Sequence, residues 1–279
     1  MTTPMNRETD WGVPLPGDMV PDAERADTNL KRLPLGTLDA AKLFGRAAPL
    51  MIDLGCGNGR ATILSAQARP GFDHLAVDVF SGAIRHAVRR ANRRGLTNIR
   101  FAVADAGDIV RRLLTDRSVD EVHLYHPQPI YDLADAPKRL ITPTFLMHVH
   151  RVLKPGGLFV IQTDHPAYWE YLQHVVPLFF EMKQQDDPWP DAPLGRTRRE
   201  ILARQLGLSI FRATCMPRGE LDRIAAQKQA DSLPLPRFDA DRKLRQVEEQ
   251  EQQRPLEDQY LSGAFEAGES NEKTPSRGA

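Results

Sequence analysis

The chain has 279 residues, of which 41% are hydrophobic and 27% are charged, and these values are typical of a globular protein. Basic and acidic residues number 37 each, so net charge gives no sign of a nucleic-acid partner and any basic footprint must be local. The two cysteines, Cys56 and Cys215, have no CxxC companion, which argues against a disulfide framework or a zinc site. No signal-peptide core and no membrane-length apolar run is evident, so we expect a cytoplasmic protein without metal, membrane association or an obligate protein partner.

Composition divides the chain into three zones. Residues 1–40 are rich in proline, show little periodicity and are predicted to form an irregular arm. Residues 41–218 alternate apolar and amphipathic stretches and are predicted to form the folded domain. Residues 219–279 are polar, and we predict a largely disordered tail that is dispensable for folding.

Within the domain, short apolar runs alternate with amphipathic stretches of helical period. Strands are predicted at residues 49–54, 74–80, 98–106, 119–126, 157–164, 179–184 and 208–217. Helices are predicted at residues 59–68, 82–95, 108–114, 142–153 and 166–179. This alternation predicts an α/β, Rossmann-like fold with a parallel sheet covered on both faces. Ligands of such sheets lie at the carboxyl ends of the strands.

A glycine-rich turn follows the first predicted strand. Gly55, Gly57 and Gly59 have the spacing G-x-G-x-G, and Asp53 lies just upstream. A dinucleotide fingerprint would need its third glycine at position 60, which is Arg60. The observed spacing instead resembles motif I of S-adenosylmethionine (AdoMet) methyltransferases, although an ordinary glycine-rich turn is the alternative.

Two further acids fall at the carboxyl ends of the next strands. Asp78 ends the second strand and can accept hydrogen bonds from ribose hydroxyls. Asp105 falls at the carboxyl end of the third strand, where it can meet the adenine amino group. Each acid alone could be a solvated strand end, but three acids in register with the glycine turn indicate a purine cofactor, which the resemblance to motif I implies is AdoMet.

Several longer segments resemble bacterial tRNA (guanine-N7)-methyltransferases, the TrmB family. They are LDAAKLFGRAAPLMIDLGCGNG at residues 38–59, LKPGGLFVIQTD at 153–164 and TRREILARQLGLSI at 197–210. The last carries that family's T-x-x-E…G…I pattern at Thr197, Glu200, Gly207 and Ile210. The resemblance implies a seven-stranded class I methyltransferase fold with an antiparallel last strand, AdoMet as methyl donor and tRNA as substrate.

The loop after the fourth strand departs from the family pattern. Where the family has F-P-D-P-W, this chain has HPQPI, so Gln128 aligns with the acid and Ile130 with the tryptophan. Of the family's basic run, only Lys138 and Arg139 are evident. His126 could contact substrate or have a simple role in the loop.

The resemblance also assigns roles to single residues. It places Gln128 in catalysis and beside the cofactor, and it places Asp164 in catalysis and in holding the target base. Asp132, Thr197 and Glu200 are expected to contact substrate. For Thr197 and Glu200 the structural alternative is a helix capping box. The altered loop leaves open a non-catalytic AdoMet- or RNA-binding paralogue, or a methyltransferase acting on another nucleophile.

A basic helix follows the second strand. It carries arginines and one histidine on one side: Arg85, His86, Arg89, Arg90, Arg93 and Arg94. The opposite face, with Ile84, Ala87, Val88 and Ala91, is predicted to be buried. The basic face could follow RNA phosphates, but a solvated helix face is the preferred interpretation.

Overall fold

The structure is a computed structural model that describes residues 8–251 except residues 35, 220, 235 and 240. The strands are β1 Thr9–Asp10, β2 Val13–Pro14, β3 Leu50–Leu54, β4 Asp73–Asp78, β5 Ile99–Val103, β6 Val119–Tyr125, β7 Leu153–Thr163, β8 Phe180–Gln184 and β9 Phe211–Pro217. The helices are α1 Ala40–Phe44, α2 Arg60–Ala68, α3 Ser81–Asn92, α4 Ala106–Asp108, α5 Pro143–Val152, α6 Pro166–Val175, α7 Arg198–Gln205, α8 Arg223–Asp231 and α9 at residues 242–251. A π-helical turn Ile109–Leu113 extends α4, and 3₁₀ turns lie at Asp22–Glu24, Leu133–Lys138 and Val176–Leu178.

A seven-stranded sheet in the order β5-β4-β3-β6-β7-β9-β8 forms the centre of the domain. The pairs among β3, β4, β5, β6 and β7 are parallel, and β9 runs antiparallel to both β7 and β8. The predicted mostly parallel sheet with an antiparallel last strand is therefore confirmed. Because the strand order reverses between β3 and β6, the switch point lies where β3 meets the glycine turn.

Helices cover both faces of the sheet. On one face α2 and α3 bury Ile63, Ala87 and Ala91 against Phe101 of β5. On the other face α5 and α6 pack Leu146 and Leu172 with the central strands. Among the described residues no helix is long and apolar enough to cross a membrane.

The basic helix, α3, differs from the expected solvated face. Arg90 and Arg94 are buried, and they reach the N-terminal arm instead of solvent or a free phosphate site. Arg90 lies 2.8 Å from Asp10, and Arg94 lies 2.7 Å from Glu8. The preferred interpretation was wrong at these positions, because acids distant in sequence neutralise the arginines. Arg85 and Arg89 remain exposed.

The arm itself is attached to the domain along its described part. Its hairpin β1–β2 places Asp10 beside α2 and α3, and Asn29 forms a parallel bridge with Phe101 of β5. Leu15 is buried in the α2–α3 cluster. Short, irregular pieces thus make tertiary contacts that the proline-rich composition did not indicate.

The predicted tail also contains packed structure. Instead of a disordered segment after residue 219, the chain forms α8 and α9. Phe238, Leu244 and Val247 are buried, and Val247 packs with Leu202 of α7. The apolar positions are too widely spaced to form a conspicuous pattern, yet they are buried against the domain. Residues 252–279 of the predicted tail lie outside the described residues.

Candidate active site

The turn between β3 and α2 is built from left-handed glycines. Gly55, Gly57 and Gly59 have φ values of 76°, 54° and 75°. A Cβ atom added at Gly55 or Gly57 would meet nothing within 4 Å, whereas at Gly59 it would lie 2.7 Å from the Cβ of Ala87. Gly59 therefore permits close packing of α2 on α3, and the first two glycines leave open backbone toward the sheet edge.

Asp53, at the end of β3, is fully buried beneath this turn. Thr62 of α2 donates a 2.5 Å hydrogen bond to Oδ2 of Asp53, while Oδ1 has no partner among the described residues. Burial raises the pKa of Asp53 to about 7, with the nearby Asp78 adding to the rise and Thr62 opposing it. An unpaired buried carboxylate oxygen suits a cationic or N–H-bearing ligand group.

Asp78 and Asp105 lie on neighbouring strand ends, as predicted. Asp78 holds the glycine turn, because its Oδ2 accepts from the N–H of Gly57 at 2.9 Å. Its Oδ1 accepts from the N–H of Phe80 at 2.8 Å. Asp105 is exposed and caps α4 by accepting from the N–H of Asp108.

Exposed apolar side chains surround these two acids. Val79, Phe80 and Val103 are 68%, 49% and 52% exposed, and Val103 is the register partner of Asp78. Large apolar groups at a strand edge beside two carboxylates suit a flat ligand with polar edges, such as a purine nucleoside. The residues present therefore fit AdoMet: bare glycines, an unpaired carboxylate oxygen and an apolar surface lie together.

The loop after β6 contains two residues with unusual backbone conformations. His126 and Ile130 have positive φ values of 50° and 47°. Such conformations persist only where surrounding contacts hold them. Here the N–H of His126 donates to the carbonyl of Gln162 at 2.7 Å, and Arg139 donates to the carbonyls of Pro129 and Ile130. Of the two surviving basic residues, Arg139 thus holds the loop.

The candidate substrate residues of this loop are exposed. Gln128 lies between two buried prolines and faces solvent. Asp132 accepts from the N–H of Ala134 at 2.8 Å and caps the 3₁₀ turn Leu133–Lys138. Lys138 is exposed and pairs with Asp135.

Asp164 lies at the centre of a buried polar network. Trp189 Nε1 can only donate, so the oxygen of the Gln162 amide faces it at 2.6 Å. The amide nitrogen of Gln162 therefore faces His126 Nε2 at 2.8 Å, which leaves the proton of His126 on Nδ1. That Nδ1 donates to Asp164 at 3.1 Å.

Arg199 completes the partners of Asp164. Its Nε lies 3.0 Å from Oδ2 of the carboxylate, which is only 2% exposed. Burial alone would raise the pKa of Asp164, but His126 and Arg199 outweigh it and hold the pKa well below its usual range. Asp164 is therefore an ionised carboxylate in a fixed position.

A helix cap, which is the structural alternative for Thr197 and Glu200, is present at the start of α7. The hydroxyl of Thr197 accepts from the N–H of Glu200 at 3.0 Å, and Glu200 accepts in turn from the N–H of Arg196. Glu200 is 0% exposed and lies 2.6 Å from Arg212 of β9. Burial alone would raise the pKa of Glu200, but the hydrogen bonds from Arg212 and from the N–H of Arg196 outweigh burial, and the pKa lies below its usual value. Glu200 is therefore ionised. Capping and ion pairing thus hold both side chains in fixed positions.

Some members of this site were not predicted. Arg199, Gln162 and Trp189 connect Asp164 to α7 and to the loop before it, and Asp10 reaches Asn58 of the glycine turn at 2.7 Å. Arg199 could have been suspected, because it lies between Thr197 and Glu200 in the quoted motif. Asp10 carried no signal, since 48 residues separate it from its partner.

Among the described residues no cluster of three or more metal-binding side chains is found.

Comparison with known proteins places these features in a family. A family model described as "Putative methyltransferase" matches residues 47–213, which is more than half of the chain. A tRNA (guanine-N(7)-)-methyltransferase of Paracidovorax citrulli is 36% identical over 180 residues, which cover 63% of this chain and 72% of the relative. The chain belongs to the tRNA (guanine-N7)-methyltransferase family.

Another relative and a solved structure extend the comparison. The protein of the same name from Nitrosococcus oceani is 31% identical over 63% of this chain and 75% of its own length. A solved structure of the 16S rRNA methyltransferase KamB is 16% identical and covers 65% of this chain and 95% of its own, with a TM-score of 0.49.

Proposed function

We propose that this protein transfers a methyl group from AdoMet to N7 of a guanine in tRNA. The observation that carries the proposal is the 36% identity to the Paracidovorax relative over a stretch covering most of that protein. The matched region, residues 47–213, includes both the glycine turn and the buried network around Asp164. We further propose that the reaction takes place in the cytoplasm, where a tRNA substrate is present.

The cofactor half of the site is proposed from the residues at the carboxyl ends of β3, β4 and β5. When bound, AdoMet supplies an electrophilic methyl group on a sulfonium centre. Asp78 would accept from the ribose hydroxyls, Asp105 would meet the adenine amino group and Asp53 would offer its unpaired oxygen. The full proposed set is Asp53, Gly55, Gly57, Gly59, Asp78, Asp105 and Gln128.

The substrate half is proposed from the loop after β6, the end of β7 and the start of α7. The proposed set is Gln128, Asp132, Asp164, Thr197 and Glu200. Guanine N7 carries a free lone pair, so no residue is required to remove a proton, and catalysis rests mainly on positioning. The methylated purine is cationic, so the fixed negative charge of Asp164 favours charge development in the transition state.

The experiment combines the purified protein with labelled AdoMet and unmodified tRNA, and nuclease digests are then analysed for N7-methylguanine. As a matched control, the same tRNA is transcribed with 7-deazaguanine, which keeps the base-pairing edge but has carbon in place of N7. We expect label in the first tRNA and none in the second. Equal labelling of both would assign another nucleophile, and cofactor binding without transfer would assign a non-catalytic role.

A further inference from the structure

The C-terminal end of the described chain contacts the altered loop at several points. Here the C-terminal clamp denotes Pro236, Phe238 and α9, all beyond the region that the family model matches. Arg139, which holds the carbonyls of Pro129 and Ile130, also donates to the carbonyl of Pro236 at 2.7 Å. One side chain thus ties the loop to the clamp.

A second tie joins α9 to the loop directly. The hydroxyl of Tyr131 donates to Oε1 of Glu248 across 2.5 Å, although 117 residues separate the two. Tyr131 follows Ile130, one of the two residues with positive φ, so this bond fixes the loop just beyond its strained turn. The guanidinium of Arg139 lies over the ring of Phe238. That ring packs against His165, which is the neighbour of Asp164 in the chain, with 5.3 Å between the ring centroids.

A third tie reaches the buried carboxylate. Arg199, which forms an ion pair with Asp164, is also 3.2 Å from Glu251 and 3.9 Å from Glu248. Two carboxylates of α9 therefore keep the guanidinium from swinging away, and they offset the positive charge that it brings to the site. Loop and carboxylate are held by the same helix.

We propose that the C-terminal clamp is a working part of the substrate half of the site, with Glu248 as the positioning residue. Glu248 orders the loop 126–131 through Tyr131 and steadies Asp164 through Arg199. In this chain the clamp lies outside the family region and adds contacts that hold the altered loop. The catalytic part of the inference rests on the proposed function, and the structural part does not.

The test compares Glu248→Gln and Tyr131→Phe with Glu249→Gln. Glu249 is the next residue on α9, is exposed and takes part in none of these contacts, so its substitution removes the same charge from the same helix. Hydrogen exchange of the peptide covering residues 126–134 is measured first. We expect exchange about tenfold faster in the first two variants, as the loss of one charge-assisted bond implies, and unchanged exchange in the control.

The same variants are then assayed for methyl transfer to tRNA. We expect kcat about tenfold lower in Glu248→Gln and Tyr131→Phe, with AdoMet affinity within about twofold of the wild type. The double variant should lose no more than the more impaired single variant, because both changes act on the same bond, which Tyr131→Phe removes and Glu248→Gln deprives of its charge.

Equal exchange in Glu248→Gln and Glu249→Gln would overturn the proposal. So would a fall in AdoMet affinity as large as the fall in kcat, since that pattern belongs to general destabilisation. A wild type that transfers no methyl group would count against the proposed function alone, because loop exchange still tests the clamp.

Discussion

Oδ2 of Asp78 accepts a 2.9 Å hydrogen bond from the backbone N–H of Gly57, which ties the end of β4 to the glycine turn. The other oxygen accepts from the N–H of Phe80. Asp78 therefore shapes the glycine turn, and the same carboxylate is the group proposed to accept from the ribose. Its loss removes both contributions.

From this arrangement we expect Asp78→Ala to lower AdoMet affinity by about 2 kcal/mol or more, since charge-assisted bonds are lost. Isothermal calorimetry measures the change. Asp186→Ala, at an exposed position after β8, is the control and should bind as the wild type does. Unchanged affinity in Asp78→Ala would remove this residue from the cofactor site.

The raised pKa of Asp53 predicts a pH-dependent stability. The folded protein keeps Asp53 protonated up to about pH 7, whereas the unfolded chain ionises near the ordinary value of 3.8. The stabilisation from this group is thus complete below pH 3.8 and is lost as pH rises toward about 7. In Asp53→Asn that loss is absent, so the variant's stability relative to wild type should rise between about pH 4 and pH 7 and then level off. Urea denaturation across this range checks the sign, and a constant difference would contradict it.

The ion pairs of Asp10 predict that the arm contributes to folding stability. Asp10→Ala leaves Arg60 and Arg90 buried without their shared partner, with Glu8 still 3.6 Å from Arg90, and breaking a buried ion pair costs about 3–5 kcal/mol. We expect a clearly lower thermal midpoint by calorimetry. Asp18→Ala, exposed in the same arm, should leave the midpoint unchanged. Equal midpoints for the two variants would show that the arm adds little.

The exposed Gln128 provides a test of catalytic strength. Gln128→Asp shortens an exposed side chain by one methylene and, on the proposed function, places a negative charge beside the developing purine cation. We expect single-turnover methyl transfer to unmodified tRNA to be about tenfold faster, mainly at saturating tRNA. A slower Asp variant beside a fast wild type would identify the glutamine as an adapted residue.

The packed C-terminal helices predict a cost for truncation. A chain ending at residue 219 loses the buried side chains of Phe238, Leu244 and Val247. Its thermal midpoint should fall by at least about 5 °C, since each such loss is worth about 2 kcal/mol or more. A chain ending at residue 251 keeps these contacts and serves as the comparison. If both truncated chains have the same thermal midpoint as the full-length protein, α8 and α9 do not stabilise the domain.

Local patterns in the sequence determined the central sheet and the glycine turn. The strands β3 to β7 follow from apolar runs of strand length separated by amphipathic stretches. The G-x-G-x-G turn could be recognised because its backbone conformations are ones that few residues besides glycine adopt. Asp53 and Asp78 could be recognised from their places at the ends of predicted strands. Such signals arise within a few residues, so they can be interpreted without knowing what the chain folds against.

Tertiary structure alone decided the surroundings of the site. Asp10 meets Arg90 across 80 residues, and Tyr131 meets Glu248 across 117. These pairs have no spacing rule, because their geometry depends on how the arm and α9 pack on the finished sheet. A proline-rich arm and a polar tail therefore resemble solvated segments in the sequence. In the folded protein they neutralise buried arginines and hold the loop whose residues depart from the family pattern.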